Sequence, residues 1–254
     1  MHAIYAIGDI HGRADLLRPL IKAIKEDTKG GIPRFIFLGD IVDRGPESKE
    51  CMEIVDDTLL RFPGSRLVLG NHDERFWHAI SGILRNNECA EWLASFGGWQ
   101  TVESYCGGQR PSVQEFAALM HDYYDHHIEL LRSAVDKVET GNFCFVHAGV
   151  RPGVSLADQD PLDLRWIRDE FLQHSGLFGK MIVHGHTPTE SEFPEIHRNR
   201  IAVDTGAYYS GRLTAAVMET DGARRFICAT EKSAGSIDIE HIAAEQAVPL
   251  LPTA

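Results

Sequence analysis

Three short apolar runs in the first seventy residues each stop at a glycine followed by an acid or an amide. Ala3-Ile4-Tyr5-Ala6-Ile7 meets Gly8-Asp9, Phe35-Ile36-Phe37-Leu38 meets Gly39-Asp40, and Leu67-Val68-Leu69 meets Gly70-Asn71. Runs of this length bounded by turn residues read as buried strands whose ends carry the polar groups. Between the first two, Leu16, Leu17, Leu20, Ile21 and Ile24 recur at helical spacing, with Pro19 predicting a helix that starts late or bends early. Between the second and third, Pro46 suits a first helical turn, and Cys51, Ile54, Val55 and Leu59 form an apolar stripe. The order β-α-β-α-β implies a parallel sheet covered by helices, with functional groups at the carboxyl ends of the strands.

Further strands are expected at 143–146, 181–183, 201–203 and 213–218, which predicts a sandwich of sheets with helices outside. The stretch 74–140 turns helical, holds most of the tryptophans and is broken at Gly97-Gly98 and Gly107-Gly108, so it reads as a helical insertion or cap. Residues 234–254 are loosely patterned and are expected to form a peripheral tail on a single domain spanning 1–254.

Composition excludes several classes. Lys and Arg total 25 against 37 Asp and Glu, a formal charge of −12, which argues against a broad nucleic-acid-binding surface. No apolar run approaches the length of a membrane span. Met1-His2-Ala3-Ile4-Tyr5 lacks the basic start and long apolar stretch of a secretory signal, so a cytoplasmic protein is expected. The five cysteines, at 51, 89, 106, 144 and 228, have no CxxC spacing and read as free thiols rather than a disulfide framework or zinc knuckle. An acidic protein that binds an anion would have to gather positive charge locally.

Five motifs at predicted strand ends offer the means: Gly8-Asp9-Ile10-His11-Gly12, Gly39-Asp40-Ile41-Val42-Asp43-Arg44-Gly45, Gly70-Asn71-His72-Asp73, His147-Ala148-Gly149 and His184-Gly185-His186-Thr187-Pro188. Singly, a Gly-Asp is usually a turn and a lone histidine a hydrogen-bonded structural residue. Together, Asp9, His11, Asp40, Asn71, His147 and His186 supply carboxylate, imidazole and amide-oxygen donors without thiolate, a mixture suited to manganese, iron or zinc. Asp9 and His11, two apart on a tight turn, can grip one ion, neighbouring strand ends can supply a second, and Asp40 is the natural bridge. The residues alone do not choose between His184 and His186.

The ordered set GDIHG, GDIVDRG, GNHD, HAG and HGHTP resembles the signature of the phosphoprotein phosphatases, within the calcineurin-like metallophosphoesterases. The later Asp204-Thr205-Gly206-Ala207 and Gly211-Arg212-Leu213-Thr214 resemble the bacterial and lambda-phage-type serine/threonine phosphatases of that family. The resemblance implies an α/β fold, a sandwich of two mixed β-sheets flanked by helices with a helical insertion. It implies two divalent metal ions, most simply manganese with iron or zinc as alternatives, one on Asp9, His11 and Asp40 and the other on Asp40, Asn71, His147 and His186. His184 is then not a ligand. It also implies direct in-line attack by a metal-activated water on phosphorus, Arg44 as a phosphate clamp, and His72 as the acid that protonates the departing alkoxide, oriented by Asp43.

A second clamp is expected from Trp166-Ile167-Arg168, with Arg165 as its rival and a solvated surface charge as the bland reading of either. Asp73 is expected to cap the following helix. The eukaryotic branch's extra segments and aromatic-containing C-terminal motif have no counterpart, so its regulatory partners are not carried over.

Tyr123-Tyr124-Asp125-His126-His127, with His121, suggests an accessory metal site but reads more simply as a polar helix face. Trp77, Trp92 and Trp99 read as the insertion's own small core rather than as a stacking surface for substrate.

The function these residues imply is hydrolysis of phosphate monoesters by a serine/threonine protein phosphatase, with phosphorylated proteins, peptides and small phosphate esters as substrates and neither nucleic acid nor membrane as partner. The chief alternative is a symmetrical dinucleoside polyphosphate hydrolase, such as one acting on diadenosine tetraphosphate. That branch shares GDxHG-like, GNHD and HAG motifs but typically has Ala at the position of Asp43. A phosphodiesterase or nuclease is a weaker alternative because the acidic net charge disfavours a polymeric nucleic acid substrate, and a non-catalytic module on a dead phosphatase scaffold is weaker because every expected ligand, acid and clamp position holds a competent residue.

Overall fold

In the computed structural model, which describes residues 3–219 and 224–247, the chain opens with β1 (Ile4–Ile7), α1 (Ala14–Asp27), β2 (Arg34–Phe37), α2 (Ser48–Arg61) and β3 (Arg66–Leu67). Five helices follow: α3 (Asn71–Ile80), α4 (Asn86–Ser95), α5 (Gly98–Tyr105), α6 (Val113–Tyr123) and α7 (Asp125–Arg132). The second half runs β4 (Lys137–Thr140), β5 (Phe143–Val146), α8 (Pro161–Trp166), α9 (Asp169–Leu172), β6 (Met181–His184), β7 (Glu195–Ile196) and β8 (Arg200–Ala202). It ends in α10 (Ala207–Ser210), β9 (Arg212–Met218), β10 (Arg224–Glu231) and β11 (Ile237–Ala243).

The strands form two mixed sheets. The first has the order β11-β10-β9-β1-β2-β3, with β1, β2 and β3 parallel and β9, β10 and β11 antiparallel. The second has the order β4-β5-β6-β8-β7, parallel at its centre and antiparallel at both edges. Side-chain alternation along the strands then sets the layers. Tyr5 and Ile7 of β1, with Phe35 and Phe37 of β2, face α1 and α2, whereas Ala6 and Ile36 turn inward. There they meet Phe145, Val183 and Ile201 of the second sheet and Ala216 and Phe226 of the first. On the far side of the second sheet, Cys144, Val146 and Ile182 pack on Leu164, Ile167 and Phe171 of the α8–α9 segment. The result is the expected sandwich of two mixed sheets flanked by helices.

Several boundaries differ from the sequence reading. α1 runs through Pro19, because the carbonyl that Pro19 cannot serve, that of Asp15, belongs to an exposed residue at the helix start. Pro46 precedes α2 rather than sitting in its first turn. The helical stretch expected at 74–140 begins at Asn71 and ends at Arg132, and Lys137–Thr140 is instead an edge strand paired with β5. Its sequence, Lys-Val-Glu-Thr, has only one apolar residue and gives little strand signal. Residues from 234 do not form a loose tail: β11 pairs with β10 from Glu231↔Ile237 to Arg225↔Ala243. The alternation Ile237-Asp238-Ile239-Glu240 is its signal, and residues 248–254 of the expected tail lie outside the described residues. Among the described residues, no helix is long and apolar enough to cross a membrane.

Phe226 is fully buried between the two sheets. Phe226→Ala is expected to cost about 3–5 kcal/mol of stability, read as a lower urea midpoint with an unchanged slope. A midpoint within error of the wild type would contradict this account of the inter-sheet core.

Candidate metal centre

The carboxyl ends of the parallel strands of both sheets converge. Asp9 and His11 follow β1, Asp40 follows β2, and Asn71 opens α3 after β3, all from the first sheet. His147 follows β5, His186 follows β6 and Asp204 follows β8, from the second. All seven are buried. The backbone reaches these positions under strain: His11, Asp40, Asp43, Arg44 and His186 have φ of 46°, 52°, 70°, 68° and 65°. A left-handed conformation costs a side-chain-bearing residue about 1–2 kcal/mol, so its concentration here marks a site that the surrounding packing must hold in place. Two glycines make the crowding tolerable. Gly39 has φ 97°, and a Cβ on Gly70 would lie 2.2 Å from Asp40 Oδ1.

The donor atoms face one another without enough protons to go round. His11 Nδ1 is 2.8 Å from the Val42 carbonyl and donates to it, which leaves Nε2 of the neutral ring as a lone pair 3.6 Å from Asp40 Oδ2 and 4.0 Å from Asp9 Oδ2. His147 likewise donates from Nδ1 to the Leu38 carbonyl at 2.7 Å, and its Nε2 stands 2.9 Å from Asn71 Oδ1 and 3.4 Å from Asp40 Oδ1. His186 Nδ1 is 2.8 Å from the same amide oxygen, and its Nε2 is buried with no hydrogen-bond partner. An amide oxygen and carboxylates can only accept, so either protons or cations must fill the space between them.

Electrostatics lead to the same conclusion. Burial, and then the charge of Asp204, pushes the Asp9 carboxyl well above its ordinary range. Burial also raises Asp204 to about 6, against a hydrogen bond from the Gly206 N–H and with the charge of Asp40 adding to the rise. Burial would raise Asp40 too, but the charge of His147 above all holds it well below the usual range. Burial lowers His11 to about 3 and His186 to about 2. His147, unlike His11 and His186, moves up, to about 10: burial opposes this, but the Asp40 charge prevails. A proton on His147 thus stands where a cation would balance the carboxylates.

The donors fit a pair of divalent cations. His11, Asp40 and His72 offer ligand atoms within 4.8 Å of one another, and so do Asp40, His147 and His186. Asp40 belongs to both groups, as a bridging carboxylate must. The geometric grouping brings His72 into the first triangle, whereas the sequence reading put Asp9 there. Asp9 lies alongside, with its carboxylate accepting the backbone N–H of His186 at 3.0 Å.

Around this centre, His72 Nδ1 is 2.8 Å from Asp43 Oδ2, and the His72 backbone N–H donates to Asp40 Oδ1 at 2.9 Å. Arg44 reaches His72 Nε2 at 3.2 Å and lays its guanidinium 4.5 Å from the centre of the Tyr208 ring. Arg44, His72 and Arg168 line a cavity of about 160 Å³ together with His11, Asp40, His186, Asp204 and Tyr208. Arg165 does not line it, because its guanidinium is paired with Glu74 and Asp136. His184 ends β6 under the Phe171 ring, 5.0 Å between centroids, and bonds through Nδ1 to the Gly185 carbonyl, away from the ligand cluster. Asp73 lies in the first turn of α3 and reaches back to the Gly70 N–H at 3.4 Å, but its shorter bond is to the N–H of Ile41 at 2.8 Å. It therefore ties the Asp40 loop to the helix besides capping it.

Four residues at the site carry no ligand or catalytic role in the sequence reading. Asp204 opens the pattern Asp204-Thr205-Gly206-Ala207, to which no role attaches, and Tyr208 directly follows it. Trp92 and Thr101 belong to the helical insertion, and both donate to the Asp43 carboxylate, at 3.0 and 2.7 Å. Nothing in a single sequence links positions 43, 92 and 101. Trp92 also fills the insertion's core, stacked near Phe76, whereas none of the three tryptophans considered for substrate stacking lines the cavity.

The sequence model of the family described as calcineurin-like phosphoesterase matches residues 2–224. Among curated proteins, the chain is similar to the asymmetrical bis(5'-nucleosyl)-tetraphosphatase PrpE of Geobacillus sp., 29% identical, with 82% of this chain and 87% of that protein covered. It is similar also to the PrpE of Bacillus anthracis, 27% identical over the same shares. Among solved structures, one provisionally described as a diadenosine tetraphosphatase aligns with a TM-score of 0.57 at 18% identity, covering 89% of this chain and 93% of that one. A cold-active protein tyrosine phosphatase aligns at 0.56 and 22% identity, covering 93% and 78%. At such identities the structural likeness establishes the fold alone.

Because Asp40 is common to both ligand groups, Asp40→Asn is expected to weaken binding at both cation positions, each by at least about tenfold. Equilibrium dialysis against manganese with elemental analysis reads this directly. Two ions held at wild-type affinity would remove Asp40 from the shared position.

Proposed function

The chain belongs to the calcineurin-like phosphoesterase family, and within it we propose that the protein is a metal-dependent hydrolase of phosphate monoesters, with phosphoserine and phosphothreonine side chains of proteins as its substrate class. The observation that carries this reading is the buried Asp43–His72 pair, 2.8 Å apart, with His72 at the wall of the small cavity and Asp43 behind it. A serine or threonine alkoxide is a poor leaving group and must be protonated as it departs, whereas a nucleotide polyphosphate leaves readily without help.

In this reading Asp9, His11 and Asp40 hold one cation, and Asp40, Asn71, His147 and His186 hold the other. When bound, the two ions, manganese foremost, supply Lewis acidity toward the phosphate oxygens and lower the pKa of the attacking water. The chain's own residues do the rest. Trp92 and Thr101 satisfy Asp43, which accepts the Nδ1 proton of His72 and so turns Nε2 toward the cavity. An arginine can only donate, so while Arg44 sits 3.2 Å from Nε2 that nitrogen is an acceptor. A phosphate that draws the guanidinium away frees Nε2 to carry the proton for the leaving oxygen. Arg44 and Arg168 then clamp the phosphate as planar donors, and the acidic chain gathers its positive charge at this one place.

A second reading is favoured by the names of the relatives. The curated proteins similar to this chain are called asymmetrical bis(5'-nucleosyl)-tetraphosphatases, a different type from the symmetrical hydrolase expected as the alternative. The two readings are separated by steady-state turnover, after loading with manganese, of a phosphoseryl and phosphothreonyl peptide against diadenosine tetraphosphate. A larger kcat/KM for the peptide supports the monoesterase reading. A preference for the dinucleotide overturns it, with ATP and AMP as products indicating an asymmetrical cut and ADP alone a symmetrical one.

His72→Asn is expected to lower turnover of a phosphoseryl peptide roughly 100-fold while leaving p-nitrophenyl phosphate, whose leaving group needs no proton, much less affected. Undiminished peptide turnover would remove His72 from the role of acid.

A further inference from the structure

Away from the strand ends, α2 packs against α7, the last helix of the insertion, and brings Glu53 up to His126 and His127. We propose that Glu53, His126 and His127 form a separate transition-metal site, one that fastens the helical insertion to α2. The proposal stands apart from the phosphoesterase reading, since none of its residues lines the catalytic cavity.

The geometry is that of ligands around an ion not yet placed. One oxygen of Glu53 lies 3.6 Å from His126 Nε2, and the other lies 3.6 Å from His127 Nε2. These separations are too long for hydrogen bonds. They approach the roughly 3.3 Å that separates neighbouring ligands around a tetrahedral ion with bonds of about 2.0–2.1 Å. All three residues have a ligand atom within 4.8 Å of the others, and the two imidazole centroids are 4.2 Å apart.

His127 supplies the independent sign. It is completely buried, yet its Nε2 has no hydrogen-bond partner. Its Nδ1 is 2.8 Å from Tyr105 Oη. The proposed site uses the tautomer in which Nδ1 donates its proton to the phenol oxygen, which turns the Nε2 lone pair toward Glu53, the orientation a second hydrogen bond gives to metal-binding histidines.

The surroundings admit a cation. Asp56, one turn further along α2, interacts electrostatically with His126 and adds negative charge. The opposing charge, Lys49, is occupied by Tyr124, to whose hydroxyl it donates at 2.8 Å. Two imidazoles, one carboxylate and an open position facing solvent suit zinc, nickel or copper(II) rather than magnesium or calcium. A cation here would brace α5 from behind. Tyr105, which orients His127, lies one turn along α5 from Thr101, which holds the Asp43 carboxylate.

The test uses the full chain and zinc. Wild type, His126→Ala and Glu53→Gln are dialysed to equilibrium against the same zinc concentration, and bound metal is counted by elemental analysis. Glu53 and His126 are each 47% exposed, so neither change threatens the fold. Both variants are expected to hold one zinc ion fewer per chain than wild type and to show a smaller zinc-induced rise in Tm. Equal zinc content in wild type and both variants overturns the site. Because the result is a difference, ions at the phosphoesterase centre cancel, and failure of that reading leaves this test intact.

Discussion

Asp9, Asp40 and Asp204 are buried together against three imidazoles and an amide oxygen, a set of acceptors that cannot share so small a space unless positive charge lies between them. The burial has a structural origin, since the acceptors come from both sheets. The first sheet contributes Asp9, His11, Asp40 and Asn71, and the second contributes His147, His186 and Asp204. The centre therefore exists only while the apolar layer between the sheets, including Phe145, Val183 and Phe226, holds them face to face. Core packing is usually thought of as stability alone, but here it also sets the spacing of the donors. The left-handed turns at His11, Asp40 and His186 depend on that packing as well, because strained loops persist only where their surroundings over-determine them.

The helical insertion has a more direct part in the chemistry than a cover would. Asp43 is completely buried, and a buried carboxylate without partners would be costly. Trp92 from α4 and Thr101 from α5 supply two of its hydrogen bonds, and His72 supplies the third contact. The insertion thus fixes the rotamer of Asp43, and through it the ring of His72. Gly97, between the two helices, lies so close to Arg44 that a Cβ there would fall 2.5 Å from the Arg44 backbone nitrogen. The loop carrying the proposed acid partner and clamp is shaped by the insertion as much as by the sheet.

What could be read from sequence follows the range of the interactions. A strand that stops at Gly-Asp or Gly-Asn is a local event, so the strand ends and the groups upon them were legible. The choice between His184 and His186 was not legible from the residues, because both follow one strand and differ only in the turn. The structure leaves His184 under Phe171 and swings His186 into the cluster at φ 65°. Arg165 and Arg168 differ in the same way, since only the fold brings Glu74 and Asp136 to the first of them. β10 has only a short apolar run, Phe226 to Ala229, between charged ends, β11 alternates only over Ile237 to Glu240, and β4 is mostly polar, so each gives a weak local signal. Trp92 and Thr101 were invisible as site residues, because their link to Asp43 spans some fifty positions.

The cavity itself bears on the choice of substrate. At about 160 Å³ it has room for little more than a phosphate group, and its walls are mostly metal donors, arginines and a histidine, with Tyr208 and Pro188 completing the lining. In the proposed reading such a centre would bind the phosphate with little regard to what carries it. Discrimination must then come from the leaving group's need for a proton. The proposed acid, His72, held by a buried, triply engaged carboxylate, would be costly machinery in a protein whose substrate departs as a stable polyphosphate anion. Its presence is the physical reason for ranking an alkoxide leaving group first.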